Sequence, residues 1–199
     1  MKEKDVKRFL FAVGLLTAVA LATVPAGATS LRRAGLDDLV TANRTIVVAE
    51  VIDAASYWNA EGTMILTDVR VAPTEVLKGE IGSGLLTVTM QGGTVGDTSV
   101  VIVGGAELEV GRAYVLFVDR DELPGVGRVD TVREHSQGVF EIVDAGSGPR
   151  AVSTANAHAL TPDLFGNAEP PGGRTGLALG ELVESIRQRV RSGARGEVR

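Results

Sequence analysis

Between Arg44 and Ser153 the chain offers no helical repeat of roughly ten residues or more, only short β-branched or alternating segments between Gly-containing turns. That feature constrains the fold most. A parallel sheet needs crossover connections, usually helices, so a nucleotide-binding α/β architecture is excluded and antiparallel β structure is left. The strands read as Thr45–Ala54, Thr63–Val71, Leu85–Met90, Ser99–Val103, Arg112–Val118, Arg128–Arg133, Gly138–Val143 and Ala151–Ser153. Pro73 interrupts the second, which demands an edge position or a bulge, and Glu75–Leu77 resumes it. Tyr57 and Trp58 fall in a polar connection, Asp53–Gly62, and Gln91–Asp97 reads as a Gly-rich ordered loop.

Two helical patterns flank this region. Leu36, Leu39 and Val40 share a face after a possible cap at Ser30. Leu179, Leu182, Val183, Ile186 and Val190 form one apolar stripe, which predicts an amphipathic helix over about Leu177–Arg191. Its stripe requires cover, and the β domain is the nearest apolar surface.

The N-terminus has the parts of an export signal. Lys2, Lys4, Lys7 and Arg8 precede an uncharged apolar run from Phe9 to Val24, then Pro25 and Ala26-Gly27-Ala28. A membrane span needs roughly 20 apolar residues, so cleavage after Ala28 is expected rather than an anchor. The predicted organisation is a signal peptide at 1–28, a β domain at 29–153, a connecting loop at 154–175 and a helix with tail at 176–199. The expected address is therefore the periplasm, the cell surface or the medium, with no membrane span after cleavage. The whole chain of 199 residues carries a net charge of −5. Losing the basic head makes the mature part more acidic, which argues against nucleic acid as a partner. Without any Cys, disulfides and thiolate metal sites are excluded. A chain of this size buries about 70% of its unfolded surface and needs no such staples.

The order of several pieces resembles a known family. ANRTIVVAEV at Ala42–Val51 is followed by Trp58, by VRVAPTEVLKG at Val69–Gly79, by Gly92-Gly93 and by EVGRAYVLF at Glu109–Phe117. This resembles the OB-fold modules of netrin and tissue-inhibitor-of-metalloproteinase type, and more closely small secreted bacterial proteins with that barrel. The resemblance spans about Ala42–Val143. It implies a mainly-β fold: an OB-like antiparallel β-barrel with a short N-terminal helix and the amphipathic C-terminal helix. It also implies, as one alternative, a regulator or inhibitor of an exported metalloprotease. The inhibitors of that family chelate zinc through an N-terminal cysteine. The predicted mature chain starts at Thr29, so that residue cannot be carried over.

Catalytic constellations are lacking. His135 and His158 stand far apart without an H-E-x-x-H motif, and each reads as a surface or strand-end residue, although Glu134 or Glu141 would complete a two-His, one-carboxylate set. Gly82-Ser83-Gly84 and Gly146-Ser147-Gly148 sit in predicted β turns rather than in a strand-to-helix elbow. Asp119, Asp121 and Glu122 are weak metal candidates, read first as a solvated acidic hairpin tip; a metal-dependent hydrolase would have to use them. Asn43-Arg44-Thr45 is a glycosylation sequon by pattern alone, and Lys78, the one lysine beyond the basic head, reads as a solvated turn residue. The binding candidates are Tyr57 and Trp58, with Gly92 and Gly93 in the Gly-rich loop. Trp58 is either a recognition anchor on a rim or a plug in the barrel end. The expected function is a secreted, non-enzymatic binding module, without cofactor, recognising an extracytoplasmic protein or a cell-surface polymer.

Overall fold

The structure is a computed structural model that describes residues 34–82, 84–132, 135–144, 146, 148–154 and 176–196. The export segment, Thr29, Ser30, Glu134, His158 and nearly all of the predicted connecting loop lie outside the described residues. The elements run α1 Leu36–Ala42, β1 Thr45–Trp58, β2 Ile65–Lys78, β3 Leu86–Gln91, β4 Gly93–Val95, β5 Thr98–Val100, β6 Ala113–Leu123 and β7 Gly127–Thr131. A 3-10 turn His135–Gly138 follows, then β8 Val139–Asp144, β9 Pro149–Ser153, β10 Leu177–Ala178 and α2 Leu179–Gly196. Every ladder is antiparallel. The large sheet has the order β10-β9-β8-β6-β1-β2-β3, with β7 paired to β6 off that path, and β4 and β5 form a separate hairpin.

The central strands explain the nearly continuous apolar runs. On β1, Ile46 packs into a core with Phe117, Phe140 and the helices, while Val47, Ala49 and Val51 turn to a second core with Leu116, Val118 and Val139. On β6, Val115 and Phe117 serve the first core, and Tyr114, Leu116 and Val118 the second. Successive side chains on a strand point to opposite faces, so a strand covered on both faces must be apolar throughout. The helix α2 covers the first face with Leu182, Val183 and Ile186, beside Leu39 and Val40 of α1. It starts at Leu179, because Leu177 and Ala178 are taken into the sheet opposite Ala151 and Arg150 of β9.

The predicted closed barrel does not form. A barrel requires every strand to be paired on both sides. The hydrogen-bonded path ends at β3 and at β10, and although β3 lies against β7, no ladder joins them. The β3 ladder runs only to Leu66–Val71 of β2, after which the chain leaves through Gly92 into the β4–β5 hairpin. The resemblance to netrin and tissue-inhibitor-of-metalloproteinase modules falls with the barrel. What stands is a mainly-β fold with two helices around an open sheet.

Pro73 is accommodated in the middle of β2 by both devices that a proline in a strand calls for. A register shift lies between Val48 and Ala49, opposite it, and β3 has already left that side of β2. Lys78, at the end of β2, is no solvated turn residue. Its Nζ donates to the carbonyls of Val40 (2.5 Å), Asn43 (2.6 Å) and Thr41 (3.4 Å). Three ammonium protons thus meet carbonyls at the C-terminal end of α1, where the last turn leaves acceptors without intrahelical donors. An Arg-rich chain keeps a lysine here because a compact ammonium spreads its donors to three separate oxygens, whereas a planar guanidinium fork does not. Lys78→Met is expected to lower stability by about 2 kcal/mol, the scale of hydrogen bonds made by a charged group. Lys78→Arg should recover less than half of that, and urea unfolding of the three proteins checks both. Asn43 is only 3% exposed and its Nδ2 donates to the Leu39 carbonyl at 2.8 Å. In the folded protein the sequon at Asn43 is therefore closed to a glycan.

Candidate functional site

The outer end of the β1–β2 ribbon and the β4–β5 hairpin build one face. The second strand segment was expected to follow a loop, but β1 continues to Trp58 because Asp53–Trp58 pairs residue by residue with Ile65–Arg70. Strand alternation then sets Ser56 and Trp58 on one side and Tyr57 on the other. Tyr57 is half-buried, and its hydroxyl donates to Asp68 Oδ1 at 3.1 Å, which also accepts from Thr89 Oγ1 at 2.7 Å. Burial, followed by the Asp68 carboxylate, pushes the Tyr57 phenol above the ordinary tyrosine range. Tyr57 is thereby held as a protonated donor that ties β1 to β2 and β3. Trp58 is 41% exposed. It is not a plug.

Gly92 and Gly93 let the hairpin lie against this ribbon. Both have positive φ, 94° and 129°. A Cβ on Gly92 would come within 2.8 Å of the Val100 carbonyl oxygen, and one on Gly93 within 2.3 Å of Thr67 Oγ1 and 2.4 Å of Ser56 Oγ. Thr67 Oγ1 donates to the Gly92 carbonyl at 2.7 Å, so its single proton is committed. Ser56 must then donate across the 2.9 Å contact to Thr67, and its oxygen accepts the Thr94 N–H at 3.3 Å. The result is a short hydroxyl chain that pins β4 to the ribbon.

Under the hairpin lies a pocket of about 250 Å³. Val69, Met90, Val100, Ile102, Ala106 and Leu108 supply its apolar wall, and Gly92 and Gly93 line it as well. Val69 belongs to the second core, and Met90, Ala106 and Leu108 pack against that core. The pocket is thus the open end of the core, left where the sheet does not close. Drug-sized ligands occupy roughly 300–1,000 Å³, so this volume suits a single large side chain or a ligand of few atoms.

Comparison with known proteins yields no relative: no protein-family model, no curated protein and no solved structure matches the chain. Function must be argued from the face itself.

The carboxylates are not at a hairpin tip. Asp119, Asp121 and Glu122 lie within β6 and pair with Thr131, Val129 and Arg128 of β7, the tip falling at Pro124–Val126. Alternation turns Asp119 and Asp121 to one face and Glu122 to the other, with Arg120 Nε donating to Asp130 at 3.1 Å beside Glu122. Among the described residues no group of three or more His, Cys, Asp or Glu is placed to hold a metal ion. Glu141 is paired with Arg112.

The Gly-rich loop hides what sequence reading missed. Thr94-Val95 and Thr98-Ser99 flank Gly96-Asp97, a two-residue hairpin turn with Gly96 at φ 59°. That dipeptide is a recognisable turn signal between two short β-prone pairs. The predicted strand at Ser99–Val103 correspondingly ends at Val100 and begins one residue earlier, leaving Val101–Val103 outside any ladder.

Proposed function

We propose that this chain is an exported, non-enzymatic binding module, and that it recognises an extracytoplasmic protein or cell-surface polymer through the face built by Trp58, the β4–β5 hairpin and the pocket. One observation carries the reading: Trp58, 41% exposed, pairs with Ile65 two positions from Thr67, and Thr67 and Val69 of the same strand line an apolar pocket whose wall includes Val101 at 77% exposure. Exposed apolar groups gathered at one place cost solubility and mark interaction surfaces. Export is supported by the basic head, apolar run and small-residue exit of residues 1–28. The metalloprotease-regulator alternative drew its motive from the closed barrel, and the hydrolase alternative from three carboxylates that β6 divides between two faces; neither has an observation in its favour.

The test is a pull-down with the mature chain on the extracytoplasmic fraction of its host, comparing wild type with Trp58→Ala. Capture should fall about tenfold, equivalent to a 1.4 kcal/mol anchor, while the melting temperature moves by no more than about 2 °C. Equal capture by both proteins would remove Trp58 from the recognition face.

A further inference from the structure

We propose that residues 94–103 are a lid over the open end of the second core, swinging on Gly93 and Gly104 to uncover Val69, Met90 and Leu108. The lid goes beyond the binding-module reading and does not depend on what the face recognises.

The two ends of the segment are built as pivots. Gly93 has φ 129° and Gly104 φ 76°, both in the region where a missing Cβ leaves the backbone free to turn. The body of the protein grips the chain at each pivot. At the entry, the Gly92 N–H donates to the Ile65 carbonyl at 2.9 Å, and Thr67 Oγ1 donates to the Gly92 carbonyl at 2.7 Å. At the exit, the Ser136 N–H donates to the Gly104 carbonyl at 3.2 Å. Between these anchors β4 and β5 pair with each other, and among the described residues no ladder joins them to the large sheet.

Packing divides the pocket into a fixed wall and a movable one. Val69 belongs to the second core, and Met90 and Leu108 pack against it. The lid contributes Val100, Val101 and Ile102, which belong to neither core and are 37, 77 and 38% exposed with the lid shut. Opening therefore gives up only partial burial and leaves both cores packed.

Two hydrogen bonds hold the lid down. The Thr94 N–H reaches Ser56 Oγ at 3.3 Å, and the turn at Val103-Gly104 is closed by the Gly105 N–H on the Ile102 carbonyl at 2.9 Å. Thr94 and Ile102 are exposed, so water replaces each partner as the bond breaks. Segments with few buried apolar contacts and exposed hydrogen bonds open locally, at free energies below that of global unfolding. The pocket of about 250 Å³ is then the shut state of a wider apolar recess.

Thiol labelling of the mature chain tests this. The chain has no Cys, so Val69→Cys places a single thiol under the lid, at a position 2% exposed in the shut form. Labelling in rising urea, kept below the unfolding transition, separates lid opening from global unfolding, because sensitivity to urea scales with the surface exposed. The rate should stay nearly constant with urea. Ser56→Ala removes the acceptor of the Thr94 bond and should raise the rate about fivefold, the equivalent of one ordinary hydrogen bond. Peroxide oxidation of Met90 in the cysteine-free chain is a second readout that leaves the core untouched. Ser56→Ala should speed it relative to oxidation of Met64, which stands outside the pocket. A labelling rate that climbs with urea as steeply as global unfolding would overturn the lid. So would a labelling rate, or a ratio of Met90 to Met64 oxidation, that Ser56→Ala leaves unchanged. Recognition by the face is read separately, by the pull-down with Trp58→Ala.

Discussion

Phe117→Ala is expected to lower the stability of the fold by about 4 kcal/mol, the upper-middle of the range for emptying a buried aromatic site. Phe117 is fully buried on β6, opposite Ile46 of β1, with its ring centroid 5.8 Å from that of Phe140 at an angle of 52°. Truncation therefore removes a tilted aromatic pair as well as the transfer energy of the ring. The surroundings cannot collapse easily into the space. Gly138, whose Cβ would stand 3.2 Å from the Phe117 Cβ, brings only backbone to the site, and the strands on either side of β6 are held by their ladders. For a domain of this size the loss corresponds to a fall in melting temperature of roughly 8–16 °C. Urea unfolding at 25 °C measures it directly. A cost below about 1 kcal/mol would mean that the helix-side core is not packed around Phe117.

Leu182→Ala should cost about 3 kcal/mol, and it asks whether α2 is part of the fold or a tail. Leu182 and Ile186 are both fully buried in the core that contains Leu39, Phe117 and Phe140. Removing the Leu182 side chain empties the contact between α2 and the sheet, and Leu-to-Ala changes at buried sites cost about 2–5 kcal/mol. Glu184→Ala is the control. Glu184 is an exposed partner of Arg187, and surface ion pairs are worth about 0–1 kcal/mol, so its loss should be close to neutral. A neutral Leu182→Ala would instead detach the helix from the sheet and make it available to a partner.

Much of the fold is legible in local patterns, and the reasons are specific. The stripe Leu182, Val183 and Ile186 announces α2 because only a helix brings those spacings to one face. The β-branched run at Ile46–Val48 announces a strand buried on both sides. Pro73 announces an edge or a bulge, and it has both. By contrast, Ser56, Tyr57 and Trp58 look like loop because they are polar or aromatic and lack alternation, yet they extend β1. Their conformation is set by partners on β2, eleven residues away for Ser56 and Tyr57, through the Ser56–Thr67 and Tyr57–Asp68 hydrogen bonds. Lys78 looks like any exposed turn lysine, since its carbonyl partners at Val40 and Asn43 are more than thirty positions earlier.

The candidate face shows the same division. Gly92 and Gly93 stand out as conformationally free residues, but that their missing Cβ atoms make room for Val100, Ser56 and Thr67 follows only from the docked hairpin. Trp58 stands out as the single tryptophan. Whether it is core or rim depends on the sheet. A closed barrel would have an end to plug, whereas the open sheet leaves Trp58 exposed at the end of the β1–β2 ribbon.

What the amino-acid sequence determined by itself is therefore the set of elements: antiparallel strands with Gly turns, and two amphipathic helices that must find cover. These depend on backbone preference and on side-chain period, both local properties. The tertiary structure alone decided that the sheet stays open, that Lys78 caps α1, that the three carboxylates part company, and that Val101–Val103 falls outside any ladder. Each of these depends on which strand lies next to which, and pairing between strands distant in sequence is settled by the balance of many ladders and two cores rather than by any one segment.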